Sequence, residues 1–173
     1  MKRLLAIAAA ALAPLAIAQP QATSPDGRWQ VVAEGQAVAV YDHGVKVKAL
    51  GASRRGSQQG SAVADVHYIG RRRSFVIAFD TLAELWELSV DPSAEGVFDG
   101  LVHDYRQGEA LGEPGYLGVR RTLLDQPLRE LRFDDSGAFV LGRAPPDGDA
   151  GAPALMLVQL DVRRVIARFA APK

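Results

Sequence analysis

The chain has 173 residues, 48% hydrophobic and 23% charged, with as many acidic as basic side chains. That composition excludes a disordered chain, and the balanced charge without a long basic run argues against nucleic acid as a partner. There is no cysteine, which rules out disulfides, thiolate metal sites and haem attachment through Cys-x-x-Cys-His.

The N-terminus, "MKRLLAIAAAALAPLAIAQPQ", has a basic start at Lys2 and Arg3, an apolar run from Leu4, and Ala16-Ile17-Ala18. Small residues at −3 and −1 suit signal peptidase, so residues 1–18 read as a signal peptide with cleavage before Gln19. A membrane anchor is the competing reading. The run is short for a span and Pro14 interrupts it. The expected location is periplasmic or secreted, with no membrane contact after processing. Losing Lys2 and Arg3 leaves the mature chain slightly acidic.

The next elements repeat. "SPDGRWQVVAEG", "YIGRRRSFVIAF" and "DDSGAFVLGRAP" each place a Gly turn before an apolar, β-prone run. Gly27, Gly70 and Gly137 are the turn glycines, since Gly accepts φ > 0 and neighbouring Asp and Ser bond the local backbone. Further strand-like runs follow each turn. "AVAVYD", a His43-Gly44 turn and "VKVKALG" follow the first; "ELWELSVDP" follows the second; "LMLVQLDVRR" and "VIARFAAP" follow the third. In the last pair Met156, Val158, Leu160 and Val162 share one face and Val165, Ala167 and Phe169 another, with a hairpin at Arg163-Arg164. "SRRGSQQGSA", residues 53–62, reads as a flexible loop between units. This grammar at about 40–45 residues per unit is that of a propeller blade.

Gly27 and Gly70 are one unit apart, and Gly70 and Gly137 about half as much again. The excess falls in residues 93–124, a glycine-rich stretch without sustained periodicity that reads as an irregular insertion. Val97, Phe98, Leu101 and Tyr116 are its expected anchors.

Residues 71–92, "RRRSFVIAFDTLAELWELSVDP", admit two readings. Thr81-Leu82-Ala83-Glu84 has capping-box spacing, whereas Phe75-Ile77-Phe79 and Trp86-Leu88-Val90 alternate as strands do. Aromatic and β-branched crowding favours a hairpin, strands 73–80 and 84–90, joined near Thr81-Leu82-Ala83. The chain is therefore expected to be all-β: blade-like antiparallel sheets of a partial β-propeller in a single domain, 19–173.

Residues 71–92, with "FDGLVHDYRQGE" and "PGYLGVRRT" downstream, resemble the d1-type haem-binding β-propeller domain of nitrite reductase cytochromes and a related periplasmic haem-maturation protein. The resemblance runs from about Ser53 to Arg121. It implies a periplasmic propeller associated with binding or maturation of d1-type haem, held non-covalently. The family's propellers have eight blades, against three units here. The family's haem-ligating His has no counterpart before Ser24-Pro25-Asp26-Gly27, so no iron ligand carries over.

His103, Tyr105 and Arg106 place a titratable base, a phenol and a guanidinium on the insertion, and ordered loops on rigid scaffolds carry function disproportionately. Arg120 and Arg121 add guanidinium groups suited to carboxylates such as haem propionates. Against this, arginines commonly decorate turns and exposed strand faces, and neighbours in a strand point to opposite sides. His43 reads as a solvated turn residue and His67 as an edge-strand one. Gly-x-Ser-x-Gly, His-Glu-x-x-His and a Walker loop are absent, which favours binding over catalysis. The competing functional class is a protein-interaction module that retains blade architecture alone. Three units leave sheet edges and an apolar face uncovered, so self-association or a covering partner protein is expected.

Overall fold

The computed structural model describes residues 19–54, 57–97, 114–146 and 154–170. The leader, and the stretch with His103, Tyr105 and Arg106, lie outside the described residues.

The described chain forms three four-stranded antiparallel sheets in which chain order is spatial order. Sheet 1 holds β1 (Gln21–Thr23), β2 (Trp29–Glu34), β3 (Ala37–Asp42) and β4 (Val45–Gly51). Sheet 2 holds β5 (Val63–Ile69), β6 (Ser74–Phe79), β7 (Glu84–Ser89) and β8 (Val119–Leu123). Sheet 3 holds β9 (Arg129–Phe133), β10 (Phe139–Ala144), β11 (Ala154–Gln159) and β12 (Arg164–Ala170). The first strands touch, β1 against β5 and β5 against β9. This is the stacking of propeller blades around an inner edge. The three sheets do not close into a ring among the described residues.

Each repeated turn joins the first two strands of a sheet. In sheets 1 and 3 the same lattice recurs. Ser24 Oγ accepts the Trp29 N–H at 2.9 Å, and Asp134 Oδ1 accepts the Phe139 N–H at 2.9 Å. Gly27 and Gly137 hold φ of 70° and 71°, the left-handed region that glycine enters without strain. The second turn differs from expectation. Gly70–Arg72 is a single 3-10 turn, and Arg73, not Gly70, takes the left-handed position at φ 45°.

Residues 71–92 form the hairpin. Ile77 pairs with Trp86 and Phe75 with Leu88. Alternation sends Phe75, Ile77, Phe79, Trp86, Leu88 and Val90 to one side of sheet 2, against Trp29, Val31, Val38 and Val40 of sheet 1. Val76, Ala78 and Leu85 go to the other side, against Leu131, Val140, Met156 and Val158 of sheet 3. Sheet 2 is thus covered on both faces, which is why all six residues of β6 are buried.

Four expectations change. Each sheet gains a strand: β1, β5 and β9 precede the turns, and β8 lies inside the stretch read as insertion, which therefore stops short of Val119. Residues 53–62 are tied down where described. Ser53 bridges Gly60, and buried Ser61 Oγ accepts the N–H groups of Thr81 and Leu82. Val162 does not share the buried face of Met156, Val158 and Leu160; it lies in the β11–β12 turn and is 53% exposed. Phe169, on the last strand, is 50% exposed.

Candidate functional site

The β5–β6 turn, the segment after β7 and the approach to β8 converge on a cleft of about 370 Å³. Arg71 and Arg72 enter from the turn, Glu87 and Arg120 from β7 and β8, and Asp91 and Val97 from the segment between. Strand register puts them together. Glu87 pairs with Val76 on one side and Arg120 on the other, so Glu87 and Arg120 share the sheet 2 face that turns toward sheet 3.

The charges are unequally committed. Arg72 Nε and Nη2 donate to the two Glu87 oxygens at 2.7 and 3.1 Å, and Nη1 donates to Asp161 Oδ1 at 2.6 Å across to sheet 3. Burial works against the Arg72 charge, but Glu87 and Asp161 outweigh it and hold the guanidinium above its ordinary value. Ser74 Oγ also donates to Glu87, at 3.0 Å. With its acceptor oxygens so engaged, Glu87 keeps Arg120 at 4.0 Å, an ion pair at its outer limit. Arg71 has no ion-pair partner among the described residues. Asp91 is held below the usual carboxylate range by the Ser93 N–H and hydroxyl, and Arg73 stands 3.5 Å away. The cleft therefore offers two under-committed guanidinium groups, Arg71 and Arg120, beside a neutralised Arg72–Glu87 pair. Such groups bind carboxylates with paired, charge-assisted hydrogen bonds.

Of the candidates named from sequence, Arg120 lines this cleft. Arg121 faces the opposite side of sheet 2, its guanidinium 4.4 Å from the Trp86 ring and 3.4 Å from Glu84, donating to the Ser53 carbonyl at 3.1 Å. Val97 is buried, and Tyr116 meets the Trp29 ring edge-on at 6.1 Å. Phe98, Leu101, His103, Tyr105 and Arg106 lie outside the described residues. His43 is an exposed turn residue beside Asp42. His67 stands on β5 with Nε2 2.9 Å from Asp65 Oδ1, off the hydrogen-bonding line, so that ring nitrogen keeps no hydrogen-bond partner. Sequence reading took the Arg71–Arg73 run as one basic cluster among several and did not join it to Glu87 and Asp91. The hairpin register was the available signal, since it sets Glu87 beside the Arg71–Arg73 turn. Among the described residues no cluster of three His, Asp or Glu side chains is arranged to hold a metal ion.

No protein-family model matches the chain, and no curated protein does. Solved structures are similar in fold, and two of them are as follows. One is dihydro-heme d1 dehydrogenase NirN in complex with DHE, at TM-score 0.64 and 21% identity over 87% of this chain and 28% of that one. The other is a putative 6-phosphogluconolactonase from Bacteroides fragilis, at TM-score 0.51 and 12% identity over 87% of this chain and 42% of that one. The chain thus spans less than half the length of either. The blade architecture, and its likeness to a d1-haem propeller, stand on this match; identities so low establish the fold alone.

Proposed function

We propose that the chain is an exported, non-enzymatic binding protein whose ligand is a carboxylated macrocycle of the d1-haem class. The observation that carries this is the pair Arg71 and Arg120, under-committed guanidiniums that line one cleft. The fold's likeness to a d1-haem protein names the macrocycle, and the basic-apolar-small leader supports export to the periplasm. At 370 Å³ the cleft is near the lower end of small-molecule sites. It suits a carboxylate-bearing edge rather than a whole ring system.

The fit is to the periphery of such a group. Arg71 and Arg120 would hold its carboxylates, and the Arg72–Glu87 pair would keep the cleft floor rigid. No histidine, methionine or tyrosine is among the residues described as lining the cleft, so no iron ligand is assigned there. The macrocycle would supply carboxylates for recognition and an iron for electron transfer. The stretch with His103, Tyr105 and Arg106 joins the described chain at Val97 and Pro114, beside cleft residues Val97 and Gly115; those three side chains belong to the proposal through that position in sequence.

Absorbance titration of the processed protein with d1-type haem tests the reading. Saturable binding is expected. Arg71→Ala and Arg120→Ala should each weaken it roughly ten- to hundredfold, from losing a charge-assisted hydrogen bond of about 1.5–3 kcal/mol. Arg28→Ala, on sheet 1, should leave it unchanged. No saturable binding by the folded wild type would leave the interaction-module reading.

A further inference from the structure

Glu87 and Arg120 stand directly opposite each other on β7 and β8 and share one face of sheet 2. Opposite charges in that relation are close neighbours that stabilise a sheet by pairing. Here the pair does not close: Arg120 Nη1 stays 4.0 Å from Glu87 Oε2. The other face of the same two strands supplies a comparison. Arg121 lies across from Trp86 and reaches Glu84 only diagonally, yet it comes to 3.4 Å. Register favours Arg120, and distance favours Arg121. The difference is a second guanidinium. Among the described residues Glu84 pairs with Arg121 alone, whereas Glu87 already holds Arg72.

Arg72 takes Glu87 in a way that leaves little for another cation. Its Nε and Nη2 form a fork on the two oxygens at 2.7 and 3.1 Å, and Ser74 Oγ donates to Oε1 at 3.0 Å. Three of a carboxylate's roughly four acceptor sites are then filled. The fork also fixes the carboxylate plane, so Glu87 does not swivel toward Arg120. Arg72 is held from behind, since its Nη1 donates to Asp161 Oδ1 at 2.6 Å in the β11–β12 turn. Sheet 3 thus steadies a cleft whose described lining comes from sheet 2 and its connections. Arg72 and Glu87 are both largely buried, and Arg120 stands more exposed at their outer side.

We infer that Arg72 is a positioning residue for the cleft: by occupying Glu87 it denies that carboxylate to Arg120 and leaves the Arg120 guanidinium to the ligand. The inference rests on the proposed binding of a carboxylate there and accounts for how a cation is kept ready for it. Without Arg72, Glu87 is a largely buried carboxylate with one hydroxyl donor, Ser74. Such a charge is costly unless paired, and Arg120 need advance only about 1 Å to reach hydrogen-bond distance. Glu87 then becomes an internal competitor, tethered beside the arginine that the ligand needs. Coupling between Glu87 and Arg120 is therefore weak while Arg72 is present and appears when Arg72 is removed.

Two measurements on the processed chain test this. The first needs no ligand. Arg120→Ala should move the thermal midpoint by less than about 1 °C in the wild-type background, and lower it by about 3 °C or more in the Arg72→Ala background, where Arg120 has become the partner of Glu87. Arg72→Gln, which keeps part of the stem but cannot form the fork, gives the same comparison if Arg72→Ala unfolds the chain. Equal shifts in the two backgrounds would overturn the inference. The second is absorbance titration with d1-type haem. Arg72→Ala should weaken binding about as much as Arg120→Ala, roughly ten- to hundredfold, and adding Glu87→Gln should restore it to within severalfold of wild type. A double variant that binds no tighter than Arg72→Ala would mean that Arg72 touches the ligand or only supports the cleft floor. That result overturns the inference and leaves the proposed function standing. No saturable binding by the folded wild type, with the thermal coupling as expected, would remove the proposed ligand and leave the hold of Arg72 over Arg120 established.

Discussion

The two interfaces between sheets are built differently. Sheets 1 and 2 meet through large rings: Trp29, Phe75, Phe79 and Trp86 are all buried, and Phe79 and Trp86 contact edge-on at 4.7 Å. Sheets 2 and 3 meet through Val76, Ala78, Leu85, Val140, Met156 and Val158, and polar bridges cross the seam. Asp65 Oδ2 accepts the Leu131 N–H at 2.9 Å, Arg72 reaches Asp161, and Arg129 reaches Asp80 at 2.8 Å. Where side chains are bulky, apolar area fixes the fit and orientation is loosely set by ring packing. Where they are small, directional hydrogen bonds set the register between sheets and solvent conditions reach the seam.

The sharpest test is Trp86→Ala. It removes the ring that meets Phe79, underlies Arg121 and donates to Glu84 at 2.8 Å. Chemical denaturation should show a loss of about 3–5 kcal/mol. Met156→Ala, at the second interface, should cost about 2–4 kcal/mol by the same measurement. A larger loss for Met156 than for Trp86 would reverse the comparison.

Asp65→Ala should cost about 1–3 kcal/mol, because the buried Leu131 N–H loses its acceptor. The same carboxylate makes the second seam acid-sensitive. Burial pushes the Asp65 carboxyl up, but the His67 ring and the Leu131 and Val66 N–H groups outweigh it and hold it below its ordinary 3.8. A carboxylate depressed on folding contributes its full stability above that ordinary value and loses it as pH falls through the folded one. Stability should therefore fall below about pH 4, and the fall should be shallower in Asp65→Ala. Arg72→Ala should cost about 1.5–3 kcal/mol, because the largely buried Glu87 loses its paired donor, and added salt should shrink the part due to the exposed Asp161. Salt indifference would mean that the Asp161 contact adds nothing to the Glu87 pair.

Much of the fold was legible. The hairpin of β6 and β7 follows from alternating aromatic and β-branched residues, and sheet 1 from "AVAVYD" and "VKVKALG". Three of the four missed strands have a common cause. β9, "RELRF", buries one residue of five; β8, "VRRTL", is an edge strand with two adjacent arginines; β1 has three residues. Such segments are strands because a neighbour's backbone pairs with them, and side-chain alternation does not record that. Gly70 misled for a related reason: a glycine marks a turn, but the left-handed residue is decided by turn length, and here it is Arg73. The cleft was half legible. Arg120 stood out as charge, while Glu87 carries no motif and joins the cleft only because register sets it beside Arg72.

The unbroken chain order within each sheet governs how the protein is made. Every hydrogen-bonded strand pair joins neighbours in sequence, so apart from the long β7–β8 connection the loops to be closed are short and each sheet can assemble as it leaves the ribosome. The first sheet, however, has its apolar side against the second, and the second has one side against the third. Synthesis therefore creates, in turn, sticky intermediates whose exposed side is buried by the next sheet to emerge. In a chain wired this way nearest-neighbour coupling decides cooperativity: the middle sheet is the last to open in the native state, and the two outer ones fray from it separately.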